Sequence, residues 1–149
     1  MKWGENVGFD FSIPDDFMGS LLKMQDEEEF KTLACDMLND AGKILKETME
    51  HEIPKDTGDL AEHIKQEKAK KYKNGCYGVS VHPYGHSKST ESKGRKGKKY
   101  SLTNIGKAIL LEYGTINMRP RPFLRNVKIK SEEKVVNRMQ EVYNKKVKE

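Results

Sequence analysis

Cys76, His82 and His86 are the residues of this chain whose types first suggest chemistry. Thiolate and imidazole are zinc ligands, and a structural zinc site takes four of them. Only three candidates are present, at loose spacing and without a CxxC pair. A strand-end thiol beside surface imidazoles is the plainer reading. Cys35 or Cys76 could also act as a nucleophile with His51, His63, His82 or His86 as base. No local signature supports that pairing, and Cys35 sits beside the apolar stripe of a helix, where packing is its expected role. Carboxylates are too common, at 23 Asp and Glu, for any pair of them to point to acid–base catalysis. Gly94 and Gly97 lack the preceding strand and the spacing of a phosphate-cradling loop. No catalytic residue, metal site or cofactor is expected, and the chain is read as a non-enzyme. A small hydrolase using His82 and His86 is a distant alternative.

The strongest binding feature is electrostatic. Pro83–Tyr100 contains Lys88, Lys93, Arg95, Lys96, Lys98 and Lys99 against Glu91, a net of +5 that matches the whole chain's +5. It reads as a long basic loop rich in Gly, Ser and Lys. Such a segment can neutralise phosphates in a salt-dependent, sequence-insensitive way, or dock on an acidic protein surface. Tyr84 and Tyr100 flank it, but two aromatics at the ends are not a stacking platform.

The remaining pattern sets the frame for these residues. The chain has 149 residues, 35% hydrophobic and 34% charged. That suits one domain with a thin core and suggests that neighbouring subunits contribute stability. Two cysteines are too few for a disulfide framework, so both are expected to be reduced. The start lacks a signal-peptide pattern, and no apolar run approaches the ~18–20 residues of a membrane span. A soluble chain with no membrane partner is expected.

Residues 1–26 form an arm with Trp3, Phe9, Phe11, Ile13, Phe17 and Met18, which must dock on something. Residues 27–149 read as a single α+β domain. Phe30, Leu33, Met37, Ala41, Ile44 and Leu45 recur at helical spacing over Glu27–His51, with acidic residues at the start and Pro54 beyond the end. Asp59 and Glu62 have capping-box-like spacing for a short helical turn. Asn74-Gly75 signals a two-residue hairpin turn, between a lysine-rich strand in Ile64–Tyr72 and an alternating strand through Tyr77, Val79 and Val81. Leu102, Ile105 and Ile109 give a short helix within Ser101–Tyr113. Phe123–Glu149 is a second long helix, striped by Phe123, Leu124, Val127, Val135, Met139, Val142 and Val147. The expected fold is a small antiparallel sheet with two long helices packed on one face, plus the basic loop and the N-terminal arm.

Two motifs frame the domain. The first is Pro54-x-Asp56-Thr57-Gly58-Asp59-Leu60. The second is Glu112-Tyr113-Gly114-Thr115, a short gap, then Arg121-Pro122-Phe123-Leu124-Arg125. Gly58 and Gly114 suit turns that need positive φ or close approach. Pro122 suits the first turn of a helix. Phe123 and Leu124 are expected to anchor that helix, and Glu112 to pair with Arg121 or Arg125. In order and spacing across about Glu28–Val142, the chain resembles the tail-component family of siphophages and prophages, short proteins encoded among head–tail joining and tail-completion genes. The resemblance implies an α+β subunit that assembles with itself into a ring, usually sixfold, in the neck of the virion. It implies neighbours in the connector or adaptor above and the tail-tube or tail-terminator proteins below, assembly in the host bacterial cytoplasm, no cofactor and no reaction. Within it, Glu112, Arg121 and Arg125 would meet an adjacent subunit, and the basic loop would face either DNA in the channel or a protein. A basic nucleic-acid-binding module acting through residues 83–100 is the second reading.

Overall fold

Glu27, Glu28 and Glu29 place carboxylates at the positive end of the first long helix, where the helix dipole favours them. In the computed structural model, which describes residues 27–55, 58–73, 75–93 and 99–147, this helix, α1, runs Glu27–Glu52. Leu33, Met37, Ala41, Gly42, Leu45 and Met49 form its buried stripe. No helix among the described residues is long and apolar enough to cross a membrane. A single turn, α2 (Asp59–Glu62), follows. Its cap is Gly58 without a side-chain hydrogen bond, so Asp59 is the first helical residue and not the member of a capping box. Asp59 instead faces His63, whose ring Nδ1 lies 2.6 Å from the Asp59 carbonyl oxygen and 3.4 Å from its carboxylate.

The central hairpin is one antiparallel ribbon interrupted once. Its strands are β1 (Ile64–Gln66), β2 (Lys70–Lys71), β3 (Tyr77–Gly78) and β4 (Val81–Pro83). Ile64 pairs with Pro83 and Gln66 with Val81, whereas Lys70 pairs with Gly78 and Lys71 with Tyr77. One extra residue on the first strand therefore separates the two ladders, the signature of a bulge. At the tip, the Tyr72 N–H donates to the Cys76 carbonyl at 2.8 Å and the Gly75 N–H to the Tyr72 carbonyl at 3.0 Å. Three residues thus close the hairpin, with Gly75 at φ 85°. The closing pair is one residue wider than the two-residue Asn74-Gly75 turn expected, and Asn74 itself lies outside the described residues.

The hairpin crosses α1 closely. A β-carbon on Gly42 would collide with the Gln66 side chain. Gln66 donates to the Asn39 carbonyl and the Ala69 N–H donates to the Asn39 side chain, both at 2.8 Å. The glycine makes room, and Asn39 pins the strand that fills it.

The described part of the basic segment is mostly strand and not the loop expected. The backbone forms β5 (His86–Lys93) and β6 (Lys99–Thr103), paired antiparallel, with Ser92 opposite Tyr100 and Lys93 opposite Lys99. The register shifts between His86 and Glu91. Of the basic residues singled out, Arg95, Lys96 and Lys98 lie outside the described residues. Alternating Ser, Thr and Lys carry no apolar face, so periodicity gave no strand signal here.

Helix α3 spans Asn104–Tyr113, capped by the Thr103 hydroxyl, which accepts the Gly106 N–H at 3.1 Å. It buries Asn104, Ala108 and Leu111. The stripe expected to face inward, Ile105 and Ile109, instead faces water. Asn104 decides this phase. Its backbone N–H donates to the Gly85 carbonyl at 3.0 Å and its side chain to the Tyr84 carbonyl at 2.7 Å, so the amide clamps the corner between the two hairpins from a fully buried position.

Helix α4 (Phe123–Val147) closes the domain. Phe123, Val127, Ser131 and Val135 are its most buried residues. Ser131 keeps the stripe continuous because its hydroxyl donates to the Val127 carbonyl at 2.7 Å. The fold is α+β: α4 packs on α1, and α1 touches β1, β3 and β4.

The α1–α4 seam is antiparallel and rimmed by ions. Lys146 pairs with Asp36, Arg138 with Asp40 at 2.9 Å, and Lys130 with Glu52 at 2.7 Å. Hydrogen bonding by Lys43 and then Arg138 holds the Asp40 carboxyl below its ordinary value of 3.8. The Lys130 hydrogen bond does the same for Glu52, below 4.5. A depressed folded pKa stabilises above the unfolded pKa, and that stability is lost as pH falls through the folded value. The thermal midpoint is therefore expected to fall as pH drops below about 4. The drop should be smaller in Arg138→Met, measured by circular dichroism.

A core substitution tests the packing itself. Phe123→Ala should cost ~3–5 kcal/mol in urea unfolding. Asn104→Ala should cost ~1–3 kcal/mol, because the part-buried bond from its amide to the Tyr84 carbonyl is lost.

Candidate functional site

The two halves of the second motif meet in space. Leu111 is buried at the end of α3, and its carbonyl accepts the Arg121 N–H at 2.7 Å. Pro122 stands immediately before the first residue of α4, where a helix usually has a side-chain oxygen to take a free N–H. Proline has none. Glu112 supplies it from twelve residues upstream: its carboxylate accepts the Leu124 N–H at 2.9 Å. Glu112 is thus a remote cap that joins α3 to α4. Of the two arginines expected to pair with it, Arg121 or Arg125, Arg125 is exposed and makes no ion pair among the described residues.

Between those bonds the chain makes a tight projection. Gly114 ends α3 with its N–H on the Leu110 carbonyl at 2.8 Å. It sits at φ 75°, and a β-carbon there would lie 2.6 Å from the Met118 carbonyl oxygen and 2.8 Å from the Pro120 nitrogen. Only glycine fits both the angle and the space. Thr115 and Met118 then bridge each other, with N–H to carbonyl distances of 2.9 and 3.2 Å. The Thr115 hydroxyl accepts the Asn117 N–H at 3.3 Å. Ile116 stands at the tip with a relative exposure of 104%. Polar or glycine residues normally fill such tips; here a β-branched apolar side chain is held in water on a braced turn.

Ile116 has apolar company. Ile105, Ile109 and Tyr113 lie four residues apart on α3 and so share one helix face, and all three are exposed, Tyr113 to 72%. Arg119, Arg121 and Arg125 are exposed on the segment that runs from the Ile116 turn into the first turn of α4. An apolar ridge with a cationic rim is the composition of a protein-binding surface. Tyr113, Gly114, Thr115, Arg121 and Arg125 are legible here in the sequence; Ile116 and the outward stripe are not. An isoleucine inside a turn bracketed by Gly114 and Pro120 was the available signal.

Other expected residues are dispersed. Gly58 caps α2, while Asp56 and Thr57 lie outside the described residues. Cys76 is exposed at the tip of the central hairpin, His82 pairs with Lys65 on β4, and His86 lies on β5 opposite Thr103. Among the described residues no group of three metal-ligating side chains forms. Lys88, Lys93 and Lys99 lie on the β5–β6 hairpin. A cleft between α1 and α4, lined by Asp36, Asp40, Lys43, Arg138, Glu141 and Lys146, is filled with charges that pair with one another, so it has the chemistry of an ion-paired seam.

No family model, curated protein or solved structure matches the chain.

The remote cap gives a direct expectation. Glu112→Ala should lose ~1–2 kcal/mol of stability, with Glu112→Gln recovering most of it because the amide oxygen still accepts the Leu124 N–H. If Glu112 acted chiefly through charge on the nearby arginines, the glutamine variant would unfold like the alanine one.

Proposed function

We propose that this chain is a structural subunit of a tailed-bacteriophage particle, a ring-forming joining or tail-completion component of the neck that links connector to tail tube. The observation that carries the reading is the braced apolar ridge ending in Ile116, built within the motif that resembles the tail-component family. A lone subunit leaves Ile105, Ile109, Tyr113 and Ile116 in water. Self-association removes them from it, at roughly 25 cal/mol per Å² of apolar surface covered. The thin core supports the same reading. The mechanism is geometric: one surface meets the next subunit in the ring, others meet the connector and the tail tube, and no bond is made or broken.

Native mass spectrometry of the purified chain, alone and with the connector and tail-tube proteins encoded beside it, tests the proposal. A ring of about six copies, alone or formed with a partner, is the expected result. A strict monomer under both conditions would sink it.

A second reading, nucleic-acid contact through the β5–β6 hairpin, draws on its register. Lys93 is the register partner of Lys99, and residues 83–100 carry six basic residues against Glu91, a density of charge that phosphates would neutralise. In this reading, reversing Lys96, Lys98 and Lys99 to glutamate weakens retention on DNA and flattens its dependence on salt. Unchanged retention and an unchanged slope would dispose of it.

A further inference from the structure

The exposed ridge needs an occupant, and the chain carries a complementary one. Residues 1–26 contain Trp3, Phe9, Phe11, Ile13, Phe17 and Met18. They also contain two lysines against five carboxylates, a net of −3, which leaves the rest of the chain at +8 within the total of +5. The richest stretch, Phe9–Phe17, alternates apolar residues with Asp10, Asp15 and Asp16. The ridge has the matching pattern: Ile105, Ile109, Tyr113 and Ile116 are exposed, and so are Arg119 and Arg125 on the segment that follows Ile116. Arg119 and Arg125 make no ion pair among the described residues.

Reach bears on which copy supplies the segment. The seam pairs Asp36 with Lys146 and Glu52 with Lys130, so the start of α4, and α3 joined to it through Glu112, lie at the C-terminal end of α1. Residue 27 is at the other end of this 26-residue helix, about 39 Å away at 1.5 Å per residue. Phe17 stands ten residues before Glu27 and reaches at most about 36 Å even fully extended. Phe11 and Phe9, 16 and 18 residues before Glu27, reach about 58 and 65 Å, so they meet the ridge of their own chain only with the intervening residues drawn out to more than half their full length. A neighbouring copy is under no such limit.

We infer that the ridge formed by Ile105, Ile109, Tyr113 and Ile116 is the docking site for the Phe9–Phe17 segment of a second copy of this chain. Its aromatic side chains cover the ridge, and Asp10, Asp15 and Asp16 face Arg119 and Arg125. The inference deepens the self-assembling subunit proposed above and rests on it: each copy gives an arm and receives one, a head-to-tail contact that closes into a ring when the rotation allows.

Disulfide trapping between copies of different mass tests it. In full-length chains with Cys35 and Cys76 changed to serine, one copy carries Phe11→Cys and a longer, tagged copy carries Ile109→Cys. After mixing and mild oxidation, a mixed-mass product should form, with a yield that rises with concentration and falls at least tenfold when the receiving copy also carries Ile116→Asp. Circular dichroism of each variant checks that it is folded. If the serine background does not fold, a photo-crosslinking residue at position 11 of the otherwise native chain gives the same readout. No mixed product from folded chains overturns the inference, as does a chain carrying both cysteines that closes only on itself. A ring by native mass without the 11–109 link overturns this inference alone; a strict monomer without it overturns the self-assembly reading as well.

Discussion

Ala41, Leu45 and Met49 of α1 and Val127 and Val135 of α4 are buried in one apolar cluster, and nearly every other element is placed by reference to it. The cluster is narrow. Each helix offers a single stripe, and charged residues begin on either side of it. Burial therefore sets the separation of the helices. The ion pairs Asp36–Lys146, Asp40–Arg138 and Glu52–Lys130 run along the seam from end to end and favour the antiparallel alignment. Exposed pairs of this kind are individually worth little. Their use is in register, since sliding one helix by a turn would separate every pair together.

Polar groups, rather than more apolar surface, attach the remaining elements to this seam. Asn39 holds the central hairpin over Gly42, Asn104 holds the corner between the hairpins, and Glu112 holds α3 to the start of α4. Each satisfies a part-buried backbone group, and losing such a partner costs more than one neutral contact gains. A domain with so little apolar material at its periphery depends on such clamps for a unique arrangement. The same economy explains why α3 can turn its isoleucines outward. Its inward face is already occupied by Asn104, Ala108 and Leu111.

The long elements were legible because they are periodic. Glu27–Glu52 and Phe123–Val147 repeat apolar residues at three and four, and packing followed that pattern. Legibility failed where a polar residue held a core position or an apolar one did not. Ser131 bridges a gap in the α4 stripe by bonding its own helix. Asn104 reverses the phase of α3, which no apolar count could anticipate. The β5–β6 hairpin is built from Ser, Thr and Lys, so its pairing lies in backbone hydrogen bonds that leave no alternation of hydropathy. At the candidate site, the motif residues Glu112, Gly114, Pro122 and Phe123 were visible by spacing. Their joint purpose was not, because the bond from Glu112 to the Leu124 N–H is a tertiary cap across twelve residues.

That cap also explains why the ridge can serve as a recognition surface. A side chain on a freely moving loop loses conformational entropy when it is bound, at about 0.5–1.5 kcal/mol for each immobilised side chain. Ile116 has much of this freedom removed in advance. It is β-branched and stiff at χ1, and its turn is closed by the Thr115–Met118 pair. The flanks are fixed by a glycine with no room for a β-carbon and by the Arg121–Leu111 and Leu124–Glu112 bonds. Bracing of this extent seats Met118 against the core yet leaves Ile116 fully exposed. It makes physical sense as preorganisation: the fold holds an apolar point rigid so that less of the association free energy is lost to ordering it.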